Sequence, residues 1–275
     1  MTGTVSIEQS AIGCRSRSHQ ETGAQCIHRS LGVMRLLAGS SPDGVKLVDI
    51  AASLELSHPT AHRILKALEE EGVVERVRGS RRYTVGAEVA WLGLAAANRF
   101  PINAVAAPAL ERLSEVVGDS VFLAVQSRND SIYADRRFGS YPVQTTTLPV
   151  GARRPMGISV AGRTMMAFLP ERKRDAVLGD NRQRYESYGC TAEMILDGAR
   201  QARSSGYLYA ASVTAPHKRV VSVPVLDMVG APVAAISVIA SHNRLPEERL
   251  SRLLPLLRSA AREISQSLTE RAKAA

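Results

Sequence analysis

The stretch LSHPTAHRILKALEEEGVVERVRGSRRYTVG, residues 56–86, decides the fold. Its first half is helical by spacing: Ala61, Ile64, Leu65 and Leu68 recur at i, i+3, i+4 and i+7 and make one apolar stripe. At about 100° per residue, His62, Arg63 and Lys66 fall on the opposite side, with Thr60 at its flank. Ser57 is placed to cap the first turn, and Pro59 sits where its missing N–H costs no helical hydrogen bond. Gly72, after Glu69-Glu70-Glu71, supplies a left-handed stop. Two short strands follow, VVERV and RRYTV, joined by Arg78-Gly79-Ser80; the alternation Val73/Glu75/Val77 and Tyr83/Val85 predicts a half-exposed hairpin.

Upstream, Ile27, Leu31, Val33, Met34 and Leu37 keep helical spacing until the breakers at 39–44. A second helix carries Val48, Ile50, Ala51 and Leu54. Helix, helix, turn, helix and basic hairpin together predict a winged helix-turn-helix over residues 26–86. Such a third helix fits a major groove, where His58, Thr60, His62, Arg63 and Lys66 would meet double-stranded DNA. Arg78, Arg81 and Arg82 of the wing would grip the phosphate backbone or a narrow minor groove. Each charge alone also fits a solvated surface; the ordered combination is what points to DNA.

Bulk composition excludes more than it selects. The net charge is +9, yet residues 1–100 hold 12 Lys and Arg against 10 Asp and Glu, whereas residues 101–275 hold 23 against 16. The total charge is therefore no DNA footprint, and the clustering of Arg76, Arg78, Arg81 and Arg82 carries the argument. No uncharged apolar run reaches the roughly 18 residues of a membrane span, and the start lacks the apolar core of a secretory signal. The expectation is a cytoplasmic protein with no membrane partner. Three widely spaced cysteines, Cys14, Cys26 and Cys190, argue against a disulfide framework or a cysteine zinc site. His58 and His62 share a helical side, but Pro59 follows the first where a zinc protease would need glutamate. No Gly-x-Ser-x-Gly elbow, P-loop or dinucleotide turn occurs, and Asp119, Asp130 and Asp135 make no evident acid–base pair. No enzyme, cofactor or metal is expected.

Residues 1–25 are polar and without periodicity, and read as a disordered lead-in. Residues 87–102 read as a linker helix ended by Pro101; Trp91, Leu92 and Leu94 make it apolar on several sides, so it needs a partner surface. Residues 103–272 alternate helices and strands: an amphipathic helix from Asn103, a hairpin around Asn129-Asp130, and an extended proline-broken stretch. A helix over ISVAGRTMMAFLP, a short charged one over ERKRDAVLG and a third over TAEMILDGARQARSSG follow. Three strands, the last two joined at Met228-Val229-Gly230, and a long closing helix complete an α+β sensor-like domain. Arg153-Arg154 could face a carboxylate but also fits a solvated loop, and His217-Lys218-Arg219 reads as a surface run.

From about residue 27 to 270 the chain resembles the IclR family of bacterial transcription regulators. The resemblance is carried by HRSLGVMRLLA and VDIAASLELSHPTAHRILKALEEEGVVER at one end, and by VFLAV, PMGISVAGRTMMAFLP, SGYLYA and VSVPVLDMVGAPVAAISV at the other. It implies a winged helix-turn-helix and a GAF-like α/β effector-binding domain, assembled as a homodimer or homotetramer. It also implies a small organic effector controlling a catabolic operon. Matching motifs place Met156, Gly157, Ser159, Val160 and Ala161 at the pocket's helix start, Val143 and Thr146 on a covering loop, and Ala210, Val220, Ser237 and Ile239 on the sheet floor.

The departures from the family pattern lie in that pocket. Relatives that bind small carboxylates often carry aspartate, cysteine and serine where this chain has Ala210, Val220 and Ile239, histidine at Gly157 and lysine at Arg163. Fewer polar partners imply a larger or more apolar effector, such as an aromatic acid whose ring fills the space opened by Gly157. The alternative function is a winged-helix protein-interaction scaffold without regulated DNA binding.

Overall fold

The computed structural model describes residues 24–144 and 148–274. The expected disordered lead-in and Thr146 therefore fall outside the described residues, except for Ala24 and Gln25. The chain divides into two compact units, residues 1–97 and 98–275.

The first unit contains α1 (Gln25–Ala38), β1 (Val45–Lys46), α2 (Leu47–Ser53), α3 (His58–Glu70), β2 (Val74–Arg76), β3 (Arg82–Val85) and α4 (Ala87–Ala97). Helix α3 starts as its sequence dictates. Ser57 is extended, its Oγ accepts from the Thr60 N–H at 3.4 Å, and Pro59 occupies the first turn. Ala61 is buried, Ile64 and Leu65 pack with Val33, Leu36, Leu37 and Ile50, and Leu68 is only partly covered. Of the apolar residues of α2, Ile50 and Ala51 are buried and Val48 is exposed. The three strands lie in the order β1-β3-β2, all antiparallel.

Strand β1 has no sequence signal because two residues carry no periodicity. The buried residue of the first wing strand is Val74 rather than Val73 or Val77, and it packs with Tyr83. A backbone clasp sets that register: the Gly86 N–H donates to the Val73 carbonyl at 2.9 Å. A Cβ on Gly86 would lie 2.2 Å from the Gly72 carbonyl oxygen, so only glycine permits this approach. The apolar helix α4 stops at Ala97, and Pro101 caps the start of the next helix rather than ending this one.

The second unit contains α5 (Ile102–Val117), β4 (Ser120–Ser127), β5 (Asp130–Arg137), β6 (Arg153–Pro155), α6 (Val160–Met166), α7 (Glu171–Glu186), α8 (Ala192–Ser205), β7 (Leu208–Ala211), β8 (Lys218–Leu226), β9 (Pro232–Ser241) and α9 (Leu250–Ala274). Its sheet is antiparallel with strand order β6-β5-β4-β9-β8-β7. Successive side chains point to opposite faces. Val121, Leu123, Val221, Val223, Ile236 and Val238 therefore pack under α5 and α9. Phe122, Ala124, Val220, Ala235 and Ile239 face the other layer, with Tyr133, Met156, Ile158, Met165 and Ile195.

Two elements differ from expectation. Helix α7 runs to Glu186, well past the charged segment, because Val177, Leu178, Asn181 and Tyr185 bury one side of it and the Tyr185 hydroxyl donates to the Met156 carbonyl at 2.7 Å. Strand β6 forms where only extended chain was expected. It tolerates Pro155 because it is a sheet edge.

Asp119, 2% exposed, ties the start of β4 to the approach of α9. Arg244 donates to both its oxygens at 3.2 Å, and Arg249 Nη1 donates to Oδ2 at 2.5 Å. Removing one partner of a buried ion group strands the others. Asp119→Ala should therefore cost about 3 kcal/mol, read as a lowered denaturant midpoint at unchanged m-value. A midpoint indistinguishable from wild type would show that the ions are sufficiently solvated to do without Asp119.

Candidate nucleic-acid interface and ligand cavity

The first unit presents one uninterrupted polar face on α3. His58, His62, Arg63 and Lys66 are exposed, and Thr60 is half-buried, its hydroxyl accepting from Ser57 Oγ at 2.8 Å. Thirteen residues make a rod of about 20 Å that a major groove roughly 12 Å wide accepts. Lys66 lies 3.8 Å from Glu70, an exposed pair that a phosphate can displace.

Arg78 and Arg81 are exposed at the wing tip. Arg82 departs from the sequence reading. It is half-buried and donates from Nη1 to the Gly44 carbonyl at 3.0 Å, so it ties the wing to the loop before β1. Arg76 is likewise engaged, 3.3 Å from Glu69 and over the Tyr83 ring. Among the described residues, no cluster of three or more His, Cys, Asp or Glu is placed to hold a metal.

In the second unit, the cavity-facing side of the sheet and the start of α6 enclose about 30 Å³. At 10–15 Å³ per molecule, that is room for about two waters. Of the residues singled out by sequence, Ser159, Val160, Ala161, Val220, Ser237 and Ile239 line it. Met156, Gly157, Ala210 and Val143 do not: Met156 is buried beneath α7 and Val143 is exposed. The space beside Gly157 is already filled. A Cβ there would lie 2.6 Å from Ile195 Cγ2, so the glycine opens no room for a ring.

Of the charged lining, the sequence offered Arg154 as one of two arginines that could face a carboxylate, whereas Lys218 read as part of a surface run. Arg154 on β6, Lys218 on β8 and Tyr133 on β5 all reach the cavity, with residues 212–215 of the β7–β8 loop closing over it. Arg154 pairs in register with Ser131, which puts it on the same side as Tyr133. Lys218 stands two residues before Val220, a parity that marks it as inward despite the basic run around it. Arg153 points elsewhere and bridges to Asp130 at 3.3 Å.

Ser159 Oγ accepts from the Gly162 N–H at 2.9 Å, capping α6, and shares a hydrogen bond with Ser131 Oγ at 3.1 Å. Ser237 Oγ donates to Ser222 Oγ at 2.9 Å. Burial pushes the Tyr133 phenol up, against the opposing pull of the Arg154 charge and a Ser159 hydrogen bond, so it remains a neutral donor. Burial pulls Lys218 down, and it also lowers the Arg163 guanidinium despite the nearby Cys190.

Asp119, Asp130 and Asp135 are all held by arginines, so none stands as a free acid or base. No helix among the described residues is long and apolar enough to cross a membrane.

Residues 27–78 match the model of the IclR helix-turn-helix domain, and residues 94–266 match that of the bacterial transcriptional regulator IclR C-terminal domain. The chain belongs to the IclR family of transcriptional regulators. It is similar to the glycerol operon regulatory protein of Streptomyces coelicolor, 29% identical over 248 residues that cover 89% of this chain and 96% of the relative. Its fold matches a transcriptional regulator from Rhodococcus sp. RHA1 at TM-score 0.67 and 27% identity, over 90% of this chain and 98% of that one. It also matches an IclR homologue from Microbacterium hydrocarbonoxydans complexed with 4-hydroxybenzoate, at TM-score 0.68 and 22% identity, over 89% and 99% of the two chains.

The interface geometry separates three arginines. Arg63→Ala should cost about 1–3 kcal/mol on a specific site and little on random DNA. Arg81→Ala should weaken both and reduce the salt dependence. Arg82→Ala should lower the melting temperature of the first unit as well. Fluorescence anisotropy on specific and random duplexes, with a thermal melt, checks all three. Equal losses on both duplexes for Arg63→Ala would make it a phosphate contact.

Proposed function

We propose that the protein is a cytoplasmic, non-catalytic regulator that binds operator DNA as a dimer and responds to a small organic acid. The observation that carries the reading is the α3 face, with cations on one side of a helix whose other side is locked into a core. Helix α4 supports the dimer. Trp91, Leu92 and Leu94 are 62%, 59% and 65% exposed on an 11-residue helix with no buried residue. Pairing two such helices would remove that apolar surface from water and set two α3 helices on successive half-sites.

The acid response is supported by the cationic cavity, whose two positive groups stand beside neutral hydroxyl donors. The cavity is too small to admit an acid unless the β7–β8 loop or its neighbours move. Binding would then select one arrangement of the protein over another, and DNA, by favouring one of the two, would feel the ligand. The glycerol operon regulator and the 4-hydroxybenzoate complex are consistent with a regulator of a catabolic operon.

Gel retardation on the DNA upstream of the protein's own gene tests the reading, with an expected Kd of about 10⁻⁸ M or tighter. Leu92→Asp combined with Leu94→Asp should yield monomers in sedimentation and weaken operator binding by at least about a hundredfold, as a lost second half-site requires. Dimers that survive the double substitution would place the interface elsewhere. No retardation of any genomic fragment would favour a protein-interaction scaffold.

A further inference from the structure

We propose that Arg154 is the carboxylate anchor of the cavity, and that the effector is a monocarboxylic acid whose remaining atoms are apolar. The inference rests on the effector reading above and names the group that recognises the acid.

Two arginines stand side by side on β6, and they have different duties. Arg153 is engaged within the protein: its Nη1 lies 3.3 Å from Asp130 Oδ2, and its Nη2 donates to Ser127 Oγ at 3.3 Å. Arg154 lines the cavity instead. Its Nη1 donates to the Arg153 carbonyl at 3.0 Å. Among the described residues, its Nε is buried without an acceptor and its Nη2 enters no hydrogen bond. What remains for a ligand is the Nε–Nη2 edge, two parallel N–H groups that match both oxygens of one carboxylate. A buried N–H without an acceptor carries a cost that such a carboxylate removes. No Asp or Glu is among the lining residues to supply that acceptor from the protein.

The hydroxyl groups of the lining are already engaged. Ser159 Oγ accepts from the Gly162 N–H at 2.9 Å and shares a hydrogen bond with Ser131 Oγ. The start of α6, which is the competing seat for an anion, therefore carries its own cap. Tyr133 is hydrogen-bonded to Ser159, Ser237 Oγ donates to Ser222 Oγ, and Ser212 Oγ lies 3.5 Å from Thr214 Oγ1. None of these arrangements leaves a carboxylate site comparable to the open guanidinium edge.

The rest of the cavity surface is apolar, with Val220 and Ile239 from the sheet, Ile158, Val160 and Ala161 around the start of α6, and Leu148 beside them. Val220 and Ile239 are paired across β8 and β9, so they form one continuous floor. A ligand body rich in hydroxyls would bury polar atoms against that floor without partners, whereas an alkyl or aryl body would not. The acid accordingly lies with its carboxylate toward the β6 edge and its apolar part over β8 and β9.

Isothermal titration of the full-length protein tests this with isovalerate, cyclohexanecarboxylate, benzoate and phenylacetate, each against its primary amide, and with the hydroxylated acids lactate and gluconate. At least one apolar acid should bind more than about tenfold tighter than its amide and than either hydroxylated acid, a difference large enough to resolve calorimetrically. Arg154→Met should weaken that acid by about 10–100-fold, as the loss of hydrogen bonds to a charged group requires, and leave the amide unchanged. Arg154→Lys should keep part of the affinity, with melting temperatures confirming that both variants fold. In the unsubstituted protein, the Arg154 Nε–H signal in an NMR spectrum, assigned by its loss in Arg154→Lys, should shift as the acid saturates the site. Acid binding unchanged by Arg154→Met, or an Nε–H signal that does not move, would overturn the anchor and leave the acid-sensor reading standing. A preference for lactate or gluconate would overturn the apolar body in the same way. If no acid binds while the upstream DNA is still retarded, the acid-sensor reading falls and this proposal with it.

Discussion

The two-residue repeat of the central strands is the constraint on which the second unit depends. Phe122 and Leu123, or Val220 and Val221, are neighbours in sequence but lie in different cores. One set binds the sheet to α5 and α9, and the other floors the cavity. A slip of one residue in β8 would bury Arg219 in place of Val220 and turn Lys218 away from the cavity, so stability and ligand chemistry are specified by the same register. The Ser222–Ser237 hydrogen bond lies directly across the β8–β9 pair and satisfies two hydroxyls that this register forces inside.

The first unit solves a different problem with the same economy of residues. Helix α3 must be rigid on one side and bare on the other. Ile64 and Leu65 anchor it, Ser57 starts it, Gly72 follows its end in a left-handed conformation, and among the described residues Arg63 stays exposed. The cluster of arginines after it divides into two groups by structural duty. Arg76 and Arg82 hold the wing together, through Glu69, Tyr83 and the Gly44 carbonyl, which leaves Arg78 and Arg81 as the charges on offer to a phosphate backbone. A count of positive charge would credit all four equally.

How much was legible in the sequence follows from the range of each interaction. Helix α3, its cap and its stop depend on residues within four positions of one another, and their pattern is plain. Strands β8 and β9 are legible as apolar runs. The extension of α7 was not, because the reason for it is Tyr185 reaching Met156, a contact 29 residues away. The inward turn of Arg154 depends on pairing with Ser131, and no local pattern encodes that register. The burial of Val74 was not legible in the alternation Val73/Glu75/Val77, because the Gly86 N–H bonded to the Val73 carbonyl and the close approach of Gly86 to Gly72 hold that end of the wing. Lys218 was within reach, since its parity with Val220 was visible, but the flanking His217 and Arg219 gave the segment the look of a solvated run.

The central claim is that the acid-binding unit and the DNA-reading unit share one equilibrium. Coupling of that kind is reciprocal: whatever factor the acid applies to DNA affinity, DNA applies to acid affinity. The most direct measurement is the Kd of the full-length protein for its upstream DNA, with and without an acid shown by calorimetry to fill the cavity. The account predicts a change of about 5–150-fold, matched by the same factor in acid affinity when DNA is saturating. An identical DNA affinity with the cavity occupied would contradict it.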